Sequence, residues 1–522
     1  MKGEGSNKYL VFTAFACGSI VMVVELIGSR VIGPPFGVSL FVWTSLITVT
    51  LVSLALGYWL GGRLADRYGS HGALFTVIFL AGLSLLAVPV IKGTVIGLSL
   101  SLGLRAGSLV SSTVLFGPPL FLLGMVAPYT VKLYMGDGRD EIGRTVGWLY
   151  AVSTAGSFVG TVSTGFILIP NIGVNNIIYL SSASLILIGA LYWLLFRRKA
   201  YAMAVVAVPL VLLLYPKDLP SVVRPDGTKA ALVVNEDSAY GQVKVVDYSY
   251  GDQLVREFLL ENMIQGAVDL KTGLSVSKYT YYIEKLSRAY NPSAKRALVI
   301  GLGSGIVPNR LHKLYGIKTD VVEINPSVVE TAARYFAYDK SLHPTFIEDG
   351  RYFLSASTEP YDIIVLDAFS GDTPPSHLIS LEAFKLVRKR LSGDGVLIIN
   401  FVGSNMPEDL AAPSSLLRTL KEVFPNIDVY TSVEYSDLAP RVVNMIFAAT
   451  LVDRPIKDSY EARVHPAYEE DVRALLSRKI KLPLGETLFT DNFNPVDFQD
   501  FKTRERFRFS VIATSDREIV LD

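Results

Sequence analysis

The chain of 522 residues is long enough for more than one domain, and 50% of it is apolar, with a mean hydropathy of +0.38 that is high for a soluble protein. Its 49 basic and 48 acidic residues leave a net charge of +1, so no global field points to nucleic acid. The single cysteine, Cys17, excludes an internal disulfide and a cysteine-based zinc site; the five histidines (His71, His312, His343, His377, His465) lack metal-ligand spacing, and no metal is expected.

The apolar excess is concentrated between residue 9 and about residue 215. A membrane span needs about 20 apolar residues. Runs of that length predict spans near 9–32, 39–61, 73–91, 107–134, 146–169 and 174–196, with a weaker seventh at 200–215 that is short and contains Pro209. The first run reads as a span and not as a cleavable signal, because further spans follow it. The apolar stretch 94–104 is about half a span long and is expected to be interfacial or re-entrant. Lys2, Lys8, Arg63, Arg67, Lys132, Arg139, Arg144, Arg197, Arg198 and Lys199 fall on one side of these spans, against Lys92 and Arg105 on the other. That asymmetry places the N-terminus in the cytoplasm of a multi-pass cell-membrane protein. Six spans keep the C-terminal domain inside; seven put it outside. Residues 1–220 thus predict a helical membrane bundle in a lipid bilayer.

Within that half, "GYWLGGRLADRYG" (57–69) resembles the loop between the second and third helices of major facilitator transporters. Glu25, an acid deep in the first span, is either functional or paired, with Arg30 or through a neighbouring helix. The small residues of "STAGSFVGTVSTG" (153–165) suit close helix packing.

Residues 221–290 alternate in short runs and predict β hairpins. From 296 the pattern becomes strand and helix in alternation: "RALVIG", a helix at 306–315, "DVVEI", a helix from Pro326 to about 337, "TFIED", a short helix, "YDIIVLD", a helix at 380–391, and "GVLIINF". Residues 291–522 therefore predict a Rossmann-like doubly wound parallel sheet with a C-terminal extension. Ligands of such sheets sit at the carboxyl ends of the strands.

Three features fall at those ends. "GLGSG", with Gly301, Gly303 and Ser304, lets backbone approach a ligand. Glu323, 22 residues after Gly301, closes the second strand, where an acid accepts both hydrogen bonds of a ribose diol. Asp349 and Gly350 of "EDG" follow the third, where an acid meets an adenine amino group. Together they indicate adenosine without phosphate, as in S-adenosyl compounds. Asp367 closes the fourth strand, and Asp372 follows it by five residues in "DAFSGDTPP". Asp367 is either a reactive acid or a helix or turn cap; Asp372 is either a second acid or an Asx turn before Pro374.

From about Asn235 to Phe447 the chain resembles the spermidine synthase family of aminopropyltransferases, in its fused form with a half-transporter-like membrane region. "EDSAYGQVKVVD" (236–247), "FLLENMIQ" (258–265), "YYIEKL" (281–286), "DVVEIN", "EDG" and "IIVLD" carry the resemblance, joined by "GWLYAVSTAGSFVGTVSTGFILIP" (147–170) and "LFTDNFNPVD" (488–497). It implies a domain of the S-adenosylmethionine-dependent transferase type. Gln242, Glu323, Asp349 and Gly350 would contact decarboxylated S-adenosylmethionine, Asp367 would be the proton acceptor, and Gln265 and Tyr282 would lie near the amine. The expected reaction moves an aminopropyl group to a diamine such as putrescine, giving spermidine and methylthioadenosine. A homo-oligomer is the expected assembly. Two departures qualify this. Ser304 stands where the family carries an acid in its glycine turn, and Lys278 stands roughly where it carries an acid before the tyrosine helix. Both favour intact S-adenosylmethionine and a methyltransferase as the alternative. A scaffold with a degenerate synthase domain is the third reading.

Overall fold

The computed structural model describes residues 4–37, 40–135, 142–197, 207–214, 219–369, 371–372, 374–404, 406–432, 442–458, 460, 462–516 and 519. The chain divides into two units, one built mainly on Met1–Asp218 and the other on Leu219–Asn235 and Gln242–Val520.

In the first unit the uncharged runs become helices, because a helix satisfies every backbone group internally. Five stretches are long and apolar enough to cross a membrane: Asn7–Phe36, Leu40–Tyr68, His71–Met135, Ile142–Asn171 and Val174–Leu194. The third folds back on itself. Helix His71–Ser99 ends in a tight turn at Leu100–Leu102, and Gly103 opens helix Gly103–Met135, which packs against it. The 94–104 stretch is therefore a helix end and its turn, not a re-entrant piece: continuous helical hydrogen bonding carries it on from the span before it. Six span-length helices result among the described residues. The weak seventh run yields only Ala207–Leu214; its other positions, together with Lys2, Arg139, Arg198 and Lys199, lie outside the described residues. Glycines set the closest packing. A Cβ on Gly156 would lie 2.0 Å from the carbonyl oxygen of Phe15, and one on Gly57 2.3 Å from that of Phe121.

The second unit begins with a five-stranded sheet, β1 (Ser221–Val223), β2 (Lys229–Ser238), β3 (Gly241–Tyr250), β4 (Gln253–Leu260) and β5 (Met263–Asp269), in that spatial order. The β4–β5 turn is Glu261-Asn262, both at positive φ (52° and 61°) as a two-residue hairpin requires. The hairpin reading of 221–290 stops short of its end. Lys278–Tyr290 is a helix, as the likeness of "YYIEKL" to the family's tyrosine helix implied, and it buries Tyr281, Tyr282, Ile283 and Leu286.

The larger sheet holds β6 (Arg296–Ile300), β7 (Lys318–Glu323), β8 (Thr345–Ile347), β9 (Tyr361–Leu366), β10 (Leu391–Ser404), β11 (Asn426–Thr431), β12 (Val442–Thr450) and β13 (Lys479–Ile480). Their order is β13-β11-β12-β10-β9-β6-β7-β8. Strands β6 to β10 run parallel, while β12 is antiparallel to β10. Both faces are covered, so the parallel strands are apolar nearly throughout; Ile363, Ile364 and Val365 are all fully buried. From β6 the chain moves outward one way to β7 and β8, then returns to β9 and β10 on the other side. The crevice between the ends of β6 and β9 is thus the topological switch point.

Candidate active site

The glycine turn and the acid of β9 meet at that switch point. The Asp367 amide donates to the Ile300 carbonyl at 2.9 Å. Gly301 adopts φ +94°, and a Cβ there would come within 2.3 Å of the Asp367 carbonyl oxygen, so only glycine fits. Neighbouring strands lie ~4.8 Å apart. The ends of β9, β6 and β7 and the turn after β8 therefore set Asp367, Gly301, Glu323 and Asp349 in a row along one edge of the sheet.

Asp367 lies on the wall of a cavity of about 280 Å³, together with Gln265, Gly303, Asp372, Lys278 and Tyr279. Burial pushes its carboxyl up to about 7, against the pull of a 2.7 Å hydrogen bond from Asn400 Nδ2. Asn400 in turn accepts from Asn444 Nδ2 at 3.1 Å. Asn400 fixes the orientation of Asp367 from the neighbouring β10, and Asn444 on β12 steadies Asn400 in turn. The sequence signal for Asn400 is a polar residue inside the apolar run "GVLIINF".

Glu323 accepts from the amides of Leu302 (3.0 Å) and Asn325 (2.9 Å). Burial raises its pKa, and those amide bonds work the other way. It ties the glycine turn to the end of β7 and holds its carboxylate at the crevice. Asp349 caps helix Gly350–Ala356 through the Tyr352 amide at 3.0 Å and bonds His377 Nε2 at 2.8 Å. Burial works to raise its pKa, but these bonds outweigh it and hold Asp349 below the ordinary aspartate value. Gly350 is required by packing, since a Cβ would lie 2.5 Å from Ile300.

Several expected site residues are placed differently. Gln242 does not line the cavity; its backbone braces the β4–β5 turn, donating to Glu261 Oε1 at 2.8 Å and accepting from the Glu261 amide at 3.0 Å. Tyr282 is fully buried in the core, its hydroxyl beside the Ser432 carbonyl and Arg478, and it does not line this cavity. Tyr279, one turn earlier, lines the cavity instead and donates to the Gln265 carbonyl at 3.0 Å. Gln265 itself steadies the loop after Asp367, its Nε2 donating to the Gly371 carbonyl at 3.1 Å. Ser304 is buried against Gly266, where an added Cβ would lie 2.1 Å from its Oγ; the position leaves little room for an acid.

Asp372 reaches the cavity wall but is not an open second acid. Both its oxygens meet the fully buried Arg508, at 3.1 Å to Nε and 3.1 Å to Nη2. Lys278 is held by Asp471 at 2.8 Å. Arg508 comes from helix Phe501–Thr514, whose buried face includes Arg504 and Arg508. In sequence, "FKTRERFRF" reads as a solvated charged segment and gives no signal of this role.

The strand order and its switch-point crevice are those of an open, doubly wound sheet with a ligand-sized cavity at the strand ends. Residues 277–437 match the family model described as the spermine/spermidine synthase domain. It is 40% identical over 117 residues to a polyamine aminopropyltransferase of Vibrio vulnificus, covering 21% of this chain and 39% of the relative. It is 27% identical over 430 residues to an N-terminal histidine N-methyltransferase of Emericella nidulans, covering 75% of this chain and 73% of the relative. The chain thus spans well under half of the Vibrio relative's length. Among solved structures, a probable spermidine synthase from Corynebacterium glutamicum aligns over 50% of this chain and 96% of its own, at 17% identity and a TM-score of 0.41.

Proposed function

We propose that the second unit alkylates an amine nitrogen, moving an aminopropyl group from decarboxylated S-adenosylmethionine to an amine such as putrescine, with spermidine and methylthioadenosine as products. One observation carries this reading: a carboxylate at the switch point, braced by Asn400 and titrating near 7. The adenosyl sulfonium supplies an electrophilic carbon and a thioether leaving group. The acceptor must reach it as a neutral amine, although free alkylamines are protonated at neutral pH. Asp367 takes that proton, and a pKa near the working pH suits a general base. Glu323 would hold the ribose diol, and Asp349 the adenine edge. Gly301 and Gly303 admit the ligand to the backbone.

Methyl transfer from intact S-adenosylmethionine is the second reading. It is favoured by the neutralised Asp372, by Ser304 in place of an acid, and by the long match to an N-methyltransferase. Purified protein offered each donor with an amine panel separates the two. Methylthioadenosine as product supports the first, S-adenosylhomocysteine the second, and neither product under any donor counts against both.

Glu323→Ala is expected to weaken methylthioadenosine binding at least about tenfold, because charge-assisted hydrogen bonds contribute about 1.5–3 kcal/mol each. Calorimetric titration measures this, and unchanged affinity would remove the adenosyl assignment. The first unit is proposed to anchor the protein in the membrane. Six crossings keep the second unit on the cytoplasmic side, where adenosyl donors are made. Protease digestion of sealed cells is expected to leave residues 225–522 intact.

A further inference from the structure

Glu257 lies on β4, paired across the sheet with Val246 and Ala267. It lines the cavity that holds Asp367. It also lines a second cavity of about 410 Å³, walled by Tyr248, Tyr250 and Val255 from the same sheet, by Arg224, and by Thr514 of the C-terminal helix. Glu257 and Ile264 belong to both walls, so the two spaces adjoin at a carboxylate.

That carboxylate has no hydrogen-bond partner among the described residues; its one charged influence is Arg224. Arg224 is itself committed to Asp516, through Nε at 3.0 and 3.1 Å and Nη2 at 2.9 Å. Burial pushes Glu257 up to about 7, and Arg224 only partly opposes it. A half-buried acid facing two cavities, without such a partner, is satisfied best by a cation brought by a ligand. Arg224 already lies over the Tyr248 ring, 5.1 Å from its centroid, so the surface left beyond Glu257 for a further ammonium is the exposed ring of Tyr250. Asp372 cannot fill this role, because Arg508 already neutralises it.

We infer that Glu257 holds a remote ammonium of the acceptor whose reacting nitrogen faces Asp367, and that the acceptor continues past Glu257 into the second cavity. The acceptor class is then a linear triamine or longer, with a diamine as the poorer substrate. This rests on the amine-alkylating reading above.

The test uses the full-length protein saturated with methylthioadenosine, titrated calorimetrically with putrescine and with spermidine. The parent should bind spermidine more tightly than putrescine. Glu257→Gln should weaken spermidine about ten- to a hundred-fold, the range of a lost charge-assisted contact. Glu257→Asp, which keeps the charge, should recover part of it. Methylthioadenosine affinity should be equal in all three, which also establishes that the variants are folded. In turnover, KM for the triamine should rise with kcat nearly kept. Equal spermidine affinity in parent and Glu257→Gln, a parent that prefers putrescine, or a parent that binds methylthioadenosine but no amine would each overturn this inference alone. Absence of methylthioadenosine binding by the parent would overturn the adenosyl reading and this inference together.

Discussion

Asp367→Asn is expected to lower turnover at pH 7 by about 10²–10⁴-fold, the usual cost of removing a general base, while leaving methylthioadenosine affinity nearly unchanged. The parent's rate should rise with pH through about 7, as Asp367 loses its proton and becomes able to accept one from the amine. The variant should lack that rise. It should regain part of its activity only at more alkaline pH, where solvent deprotonates the amine instead. A stability effect of definite sign accompanies this. Asp367 titrates near 7 in the fold but near 3.8 when free, so the folded state binds its proton more tightly between those values. The stability tied to that proton is present below the free value and is lost as pH climbs through about 7. At about pH 8 Asp367→Asn should therefore melt above the parent, and the difference should close as pH falls toward 4. A variant that turns over like the parent at pH 7 would move the base elsewhere, and one that melts below the parent at pH 8 would show that Asp367 is not desolvated.

The parts of this site that were legible in the sequence are those the backbone creates. An apolar run ending in an acid is a buried strand that meets a crevice, and "DVVEI" and "YDIIVLD" both obey that rule. The parts not legible depend on what packs across from them. Asn400 acts on Asp367 from the adjacent strand, and no spacing along the chain encodes strand adjacency. Tyr279 and Tyr282 lie one helical turn apart, so sequence pattern could not say which faces the cavity. In the β hairpins, Glu257 sits in an alternation whose exposed face would ordinarily meet water; the C-terminal extension lines the same cavities, and that follows from tertiary packing alone. For the stretch 94–104 the sequence left interfacial and re-entrant readings open for a related reason, since run length says how far apolar surface extends and not where a helix turns.

Arg508→Met is expected to produce the largest loss of stability of any substitution at this site. Arg508 is 0% exposed and meets both oxygens of Asp372, which is 5% exposed, while its Nη1 donates to the Glu261 carbonyl at 3.3 Å. Removing one partner of a buried pair leaves the other charge uncompensated and costs about 3–5 kcal/mol. A lowered thermal midpoint in detergent measures it. Adding Asp372→Asn to Arg508→Met removes that stranded charge, so the double variant should recover much of the loss, and the cycle of parent, singles and double gives the coupling directly. The same pair bears on recognition. With Arg508 gone, Asp372 loses the partner that meets both its oxygens, though Arg504 still acts on it, and a cationic amine that binds there stabilises the folded state by mass action. Spermidine should then raise the midpoint of Arg508→Met by more than it raises that of the parent. Equal midpoints for Arg508→Met and parent would show that the pair is not desolvated. Equal spermidine shifts would show that Asp372 does not face the acceptor even when released.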